Sequence, residues 1–129
     1  MSDSISFCLY GIELNENEFY QKIKDLQMIK EIADWIGTTD NISSLVDEIV
    51  GELDPYDILQ SWKKTKNIKD KTDIYYDRNE MIFWIGVNLK HMRTKETKEQ
   101  FYERVQKIIS RLMGYHIQCK IIDGVMPLI

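Results

Sequence analysis

The sequence predicts a single α+β domain over residues 1–129. The expected sheet has four antiparallel strands in ferredoxin-like (split β-α-β) order, with an enlarged first helical segment. Three observations lead there. The elements read strand, helices, strand, strand, helix, strand. Residues 81–89 are the most apolar strand-like run and suit a central position, whereas residues 73–77 are short and charged and suit an edge. A chain of 129 residues, 43% of them hydrophobic, can bury a core of its own.

The first strand is expected over residues 5–14. Its apolar positions are 5, 7 and 9, then 12 and 14, so the alternation slips by one residue at Tyr10-Gly11. A β-bulge at Gly11 would produce that slip. An amphipathic helix should follow, capped by Asn15 or Asn17, with apolar residues three and four apart up to Ile36 and with Gly37 after its last turn.

Two shorter helices come next. Residues 38–41 read as a turn and cap, and residues 42–53 as a helix with an acidic outer face. Asp54 and Pro55 suit the cap and first turn of a third helix. Its inward positions are predicted to be Tyr56, Leu59 and Trp62, and the helix should fray into a basic loop over residues 63–71.

The second half of the chain supplies the remaining strands. Gly86, inside the predicted central strand, indicates either a bulge or the close approach of another backbone. A helix is expected from about residue 95 to 113, closed by Gly114. The last strand should cover residues 115–122, with Asp123-Gly124 as a turn and residues 125–129 as an apolar tail that packs or dimerises.

The predicted topology has consequences for packing. The first and third strands should be central, and we expect them to be parallel. Right-handed crossovers would place both helical segments on one face of the sheet. The other face, with Phe83 or Trp84 on it, would then need extra helices or a partner, and a homodimer is compatible with this arrangement.

Composition and motifs exclude several classes of protein. No apolar run reaches the roughly 18 residues that a membrane helix needs, and no basic leader precedes an apolar run at the start, so a cytoplasmic protein is expected. The six glycines are scattered singly, which argues against a phosphate-binding loop. Cys8 and Cys119 form no CxxC pair and read as buried free thiols, with a disulfide or a catalytic thiol as the alternatives.

The two histidines, His91 and His116, show no metal-ligand spacing with each other or with the cysteines. No metal and no cofactor is therefore predicted, and the chain is expected not to be an enzyme. The enzymatic alternative would place a site at the rim of the sheet, using His91 or His116 with a nearby acid, or pairing a cysteine with His116.

Charge is distributed unevenly along the chain. Residues 1–60 carry 13 acids and 3 lysines, a net charge of −10, and residues 61–129 carry 8 acids and 14 bases, a net charge of +6. The plain alternative is that these are solvated surfaces that balance each other. The functional hypothesis is an acidic helical face that docks on a protein partner. The residues expected to form this face are Asp40, Asp47, Glu48, Glu52, Asp54 and Asp57.

These observations favour a small non-catalytic inhibitor or adaptor. The frequent Ile, Lys, Asn and acidic residues give the impression of an AT-rich bacterial or phage genome. For a phage or mobile-element protein, inhibition of a host enzyme that handles nucleic acid would suit an acidic face.

The alternative function is nucleic-acid binding, because basic residues interleaved with aromatics can neutralise phosphates and stack on bases. A pI near 5.2 and the absence of the RNA-recognition strand motif argue against it. The residues that would bind nucleic acid are Lys63, Lys64, Lys66, Lys69, Lys71, Arg93, Arg104 and Arg111.

Overall fold

A four-stranded antiparallel sheet and five helices make up the part of the chain that the computed structural model describes, residues 4–37 and 42–127. The α+β class is therefore confirmed. In chain order the elements are β1 (Ser4–Asn15), α1 (Glu16–Ile23), α2 (Gln27–Ile36), α3 (Ile42–Glu52), α4 (Pro55–Thr65), β2 (Asp73–Asp77), β3 (Ile82–Asn88), a 3₁₀ turn (Leu89–His91), α5 (Lys98–Met113) and β4 (Lys120–Pro127).

The strand order is β2-β3-β1-β4, and every neighbouring pair is antiparallel. The strands β1 and β3 are central and β2 lies at an edge, as the apolar and charged runs indicated. The expectation that β1 and β3 are parallel is wrong. Only residues 78–81 join β2 to β3, so the chain reverses direction there, and β3 inserts antiparallel between β1 and β2.

A pair of glycines marks the crossing of the two central strands. Gly11 of β1 lies opposite Gly86 of β3, and a Cβ added to either glycine would lie 2.7 Å from the Cα of the other. Gly86 therefore permits the close approach of another backbone. The predicted bulge at Gly11 is wrong, because the pairing of β1 runs without interruption from Leu9 to Asn15 against β3 and from Ser4 to Gly11 against β4.

The slip in the apolar alternation of β1 has a different cause. Phe7 and Leu9 are buried on the face of the sheet that carries no helices, and Ile12 and Leu14 are buried on the face that packs against the helices. The strand thus changes the face that it buries near Gly11. A strand buried on opposite faces in its two halves gives the same sequence pattern as a bulge.

The helix-free face, defined here by Phe7, Leu9, Tyr75 and Trp84, is covered by the sheet itself. The Phe7 ring stacks on Tyr75 with centroids 4.1 Å apart and lies 5.3 Å from the Trp84 ring. Leu9 is fully buried. The two edge strands β2 and β4 also contact each other, so the sheet curls until these side chains pack together. Phe83, the other candidate for this face, is buried on the helix side.

The helix side holds the larger core. Phe19 of α1 stacks on Phe83 with ring centroids 3.8 Å apart, and it contacts Trp62 of α4 edge-on with ring centroids 6.3 Å apart. Tyr10 of β1 contacts Tyr102 of α5 at 4.3 Å. Aromatic pairs of this kind add to the stabilisation that comes from burying their area.

Helix boundaries differ from the prediction in two places. The helix expected up to Ile36 is split into α1 and α2, because Leu26 adopts an extended backbone and caps α2 without a side-chain hydrogen bond. Leu26 is still buried, so the apolar spacing gives no sign of the break. The helix α5 begins at Lys98, later than expected, since Thr97 forms a capping box with Gln100.

The last strand lies further along the chain than predicted. Residues 115–119 are not strand, and β4 runs straight through Asp123-Gly124, so the predicted turn is wrong. A Cβ on Gly124 would lie 2.6 Å from Cζ of Phe7, so this glycine makes room for a buried ring instead of bending the chain. Residues 128–129 of the predicted apolar tail lie outside the described residues.

Candidate docking surface

Four of the six predicted acidic residues are exposed. Glu48 and Glu52 lie on α3, and Asp54 and Asp57 lie at the start of α4. We call these four residues the acidic surface. None of the ion pairs found among residues 4–37 and 42–127 involves them, so no basic side chain of the described structure neutralises them. Asp40 lies outside the described residues.

Asp54 also has a structural task. Its Oδ1 accepts the backbone N–H of Tyr56 at 2.8 Å, which is the predicted N-cap, and Pro55 occupies the first turn as predicted. Asp54 and Asp57 both lie beside the positive end of the α4 dipole, which favours negative charge there. Removal of Asp54 would therefore change the stability of α4 as well as the surface charge.

Asp47, the sixth acid, faces into the protein. Its Oδ1 lies 3.1 Å from the hydroxyl of Tyr76, and Oε1 of the buried Glu16 lies 2.7 Å from the same hydroxyl. The pKa of Tyr76 is raised above its usual range, mainly by burial and secondly by the hydrogen bond to Glu16. Two acidic side chains, Glu16 and Asp47, therefore meet at the hydroxyl of Tyr76. Asp47 thus connects α3 to β2.

A shallow pocket of about 240 Å³ adjoins the acidic surface. One wall is the α3–α4 turn, with Asp54, Pro55 and Tyr56, and the opposite wall is the outer edge of β2, with Tyr75 and Tyr76. The aliphatic remainder of the lining consists of Val50, Ile74 and Met126. We call this the tyrosine pocket.

Tyr56 was predicted to face inward, and this is wrong. Its side chain is 53% exposed, whereas Ile58, Leu59 and Trp62 take the buried positions of α4. An exposed aromatic ring among unpaired acids is typical of the residues that carry binding energy at protein interfaces.

Four of the eight basic candidates are buried or bonded within the protein, namely Lys63, Arg93, Arg104 and Arg111. Lys63 is only 5% exposed, and burial lowers the pKa of its ammonium group. Arg111 donates to the backbone oxygens of Lys66 and Asn67, which holds the loop after α4 against α5. Arg93 lies 3.8 Å from Asp70. The exposed lysines of this group are Lys64, Lys66, Lys69 and Lys71.

Arg104 forms a bidentate pair with Glu96 along one edge of its guanidinium. Its Nε and Nη2 donate to the two carboxylate oxygens of Glu96, at 2.8 and 2.9 Å. This hydrogen bonding lowers the pKa of Glu96 to about 2. Arg104 also borders a cleft of about 390 Å³ on α5, whose lining includes Lys107 and Arg111 but also Asp70 and Glu103. The cleft therefore carries charges of both signs.

The Arg104–Glu96 pair should give the protein a defined response to acid. A carboxyl group whose pKa is depressed on folding adds stability above its unfolded pKa, near 4.5, and loses that contribution as the pH falls towards 2. We expect the urea midpoint of the wild type to fall more steeply over this range than that of Arg104→Met, which keeps an unbranched stem. Parallel pH profiles for the two proteins would contradict this assignment.

The histidine and cysteine candidates differ in their surroundings. His91 Nε2 lies 3.8 Å from Asp73 Oδ2, and His116 is exposed. Cys8 and Cys119 are free thiols, and burial raises the pKa of Cys119 to about 11, which disfavours the reactive thiolate. Within residues 4–37 and 42–127, no group of three acidic, histidine or cysteine side chains is arranged to hold a metal, and no helix is both long and apolar enough to span a membrane.

Comparisons with family models, with curated proteins and with solved structures found no match to this chain.

Proposed function

We propose that this protein is a non-catalytic inhibitor or adaptor that docks on a protein partner through its acidic surface. The observation that carries the proposal is the set of four exposed carboxylates on α3 and at the start of α4, none of which forms an ion pair among the described residues. A partner with a basic surface would supply the missing counter-charges. Complementarity of this kind accelerates association and selects against partners of the wrong charge.

The exposed ring of Tyr56 supports a protein partner in particular. Protein interfaces concentrate their binding energy in a few aromatic and arginine side chains at the centre of a polar rim. Tyr56 is 53% exposed and sits between Asp54 and Asp57, which gives this arrangement in one short segment.

Charge reversal of the acidic surface tests the function. The partner is first captured from a lysate of the source organism with nuclease present, and is then purified. We expect the variant Glu48→Lys/Glu52→Lys/Asp57→Lys to bind it at least about tenfold more weakly at low salt, because attraction becomes repulsion. Asp54 and Asp47 are left unchanged because both have structural hydrogen bonds. Titration calorimetry at two salt concentrations measures the effect.

The matched control is Glu80→Lys/Glu99→Lys/Glu103→Lys, which changes the net charge equally at exposed positions elsewhere. Equal affinity of the two triple variants for the partner would exclude the acidic surface as the docking site. Recovery of the partner only while nucleic acid is intact would favour the second candidate function.

That second candidate is nucleic-acid binding beside α5. The contact of Arg111 with the backbone of Lys66 and Asn67 favours it, because this contact brings the basic loop next to the basic side of α5. Against it, Lys63 is buried and Arg104 is neutralised by Glu96. A gel shift with Lys64→Glu/Lys66→Glu/Lys69→Glu measures this function directly.

We also propose that the fold is a ferredoxin-like arrangement with an enlarged first helical segment. The strand order and the antiparallel neighbours support it, since β3 lies between β1 and β2 as a split β-α-β unit requires.

A further inference from the structure

We propose that the tyrosine pocket receives an arginine side chain of the protein partner. This inference rests on the proposed function, because it names the group that the docking site would recognise. The inference adds to the proposed function a specific cavity next to the acidic surface and the chemistry of the group that occupies this cavity.

The size and lining of the pocket suit one long side chain. Its volume of about 240 Å³ lies below the roughly 300 to 1,000 Å³ of typical small-molecule sites. The aliphatic groups of Val50, Ile74 and Met126 would contact the methylene stem of an arginine, and the tyrosines would contact its guanidinium. A side chain delivered by a docked protein needs no deeper enclosure, because the partner itself covers the opening.

The charge of the pocket selects a cation. Asp54 is part of the lining, and no lysine or arginine is. On the protein side, Glu16 and Asp47 both lie within hydrogen-bond distance of the Tyr76 hydroxyl, so acidic side chains are also present there. On the solvent side, Glu52 and Asp57 flank the α3–α4 turn in sequence and are exposed. A positive group entering here would meet negative charge on both sides.

Arginine fits this lining better than lysine does. Its planar guanidinium stacks on aromatic rings and can donate to a carboxylate at the same time, whereas an ammonium group is more strongly hydrated and loses more on leaving water. The exposed ring of Tyr56 and the carboxylate of Asp54 are the complementary pair for such a group, and Tyr75 and Tyr76, which stack on Phe7 and Phe83, line the opposite wall.

The protein already contains cation–π contacts of the proposed type. Lys22 Nζ lies 4.3 Å from the centroid of the Tyr115 ring, and the guanidinium of Arg104 lies 5.4 Å from that of Phe101. Tyr115 and Tyr56 are similarly exposed, at 51% and 53%. Of these two tyrosines, only Tyr115 has a cation over its ring within the described part of the chain, so Tyr115 is a matched control whose ring is already occupied.

The test uses defined probes on the intact protein. Hexa-arginine is titrated into the ¹⁵N-labelled chain, with hexa-citrulline as a neutral probe of nearly the same shape. We expect hexa-arginine to shift the amide resonances of Tyr56, Ile74, Tyr75 and Met126 most strongly, and hexa-citrulline to leave them in place. Tyr56→Ala should weaken hexa-arginine binding about fivefold. Tyr56→Phe, which keeps the ring, and Tyr115→Ala should bind as the wild type does.

Several results would overturn the proposal. These are equal shifts with hexa-citrulline, shifts spread over the acidic residues without a maximum at the pocket, and unchanged binding by Tyr56→Ala. The purified partner then separates the two proposals. Weaker binding by the charge-reversal triple variant but not by Tyr56→Ala overturns the arginine pocket alone. Unchanged binding by both variants overturns the docking function itself.

Discussion

Replacing Gly11 by alanine is expected to destabilise the protein by at least about 3 kcal/mol. The new Cβ would lie 2.7 Å from the Cα of Gly86 and would also clash with the carbonyl oxygen of Ile85, and both contacts are with backbone. Backbone atoms in paired central strands cannot move aside as a flexible side chain can. Domains of this size are stable by only about 5 to 15 kcal/mol, so this loss is a large fraction of the free energy of unfolding.

Urea unfolding followed by circular dichroism measures this loss. The matched control is Gly51→Ala in α3, where an added Cβ has no neighbour within 4 Å. That change should stabilise the protein, by up to about 1 kcal/mol, because alanine favours the helical backbone. Equal unfolding free energies for Gly11→Ala and the wild type would show that the two strands do not cross so closely.

Truncation of Phe7 to alanine should cost about 3 kcal/mol, as the loss of a buried aromatic side chain does in a packed core. Phe7 is 6% exposed, stacks on Tyr75 and covers Gly124, so its removal leaves a cavity between β1, β2 and β4. Removing a ring from a sheet face that is exposed to solvent would lower the free energy of unfolding far less.

The control for Phe7 is Val125→Ala on β4, since Val125 is 59% exposed. We expect Val125→Ala to change the unfolding free energy by less than about 0.5 kcal/mol. A loss of under about 1 kcal/mol for Phe7→Ala would mean that the helix-free face is not a packed layer. The same urea titration measures both variants.

Local chemistry made part of the fold predictable. Asp54-Pro55 is an N-cap followed by a first-turn proline, which is a signal that depends only on neighbouring residues, and the structure begins α4 there. The short charged segment Asp73–Asp77 could be placed at an edge because charges are tolerated there. In both cases the chemistry of the segment itself determines where it lies in the fold.

Other features depend on contacts between distant residues. Asp123-Gly124 has the composition of a turn, but Gly124 is required by the Phe7 ring, which belongs to the other end of the chain. The break at Leu26 is invisible for a similar reason, because Leu26 stays buried whether the helix is continuous or split. A pattern of apolar residues predicts which side chains are buried, but it does not predict which helix or strand they pack against.

The negative charge of the candidate docking surface could be predicted from the sequence. The shape of this surface could not. The acids of α3 and α4 could be identified from their positions in the sequence. The inward orientation of Asp47 could not be, because its partners Tyr76 and Glu16 are distant from it in the chain. The tyrosine pocket combines residues from α3, α4, β2 and β4, so it exists only after these elements have packed together.

Because β1 buries opposite faces in its two halves, it affects how the protein unfolds. Phe7 and Leu9 belong to the layer that the curled sheet encloses, and Ile12 and Leu14 belong to the layer under the helices. One continuous strand therefore contributes to both layers, and neither layer can open by itself without breaking the hydrogen bonds that hold the other. We therefore expect local unfolding to be confined to parts of the chain away from β1, and hydrogen exchange at the central amides of β1 to occur only through global unfolding.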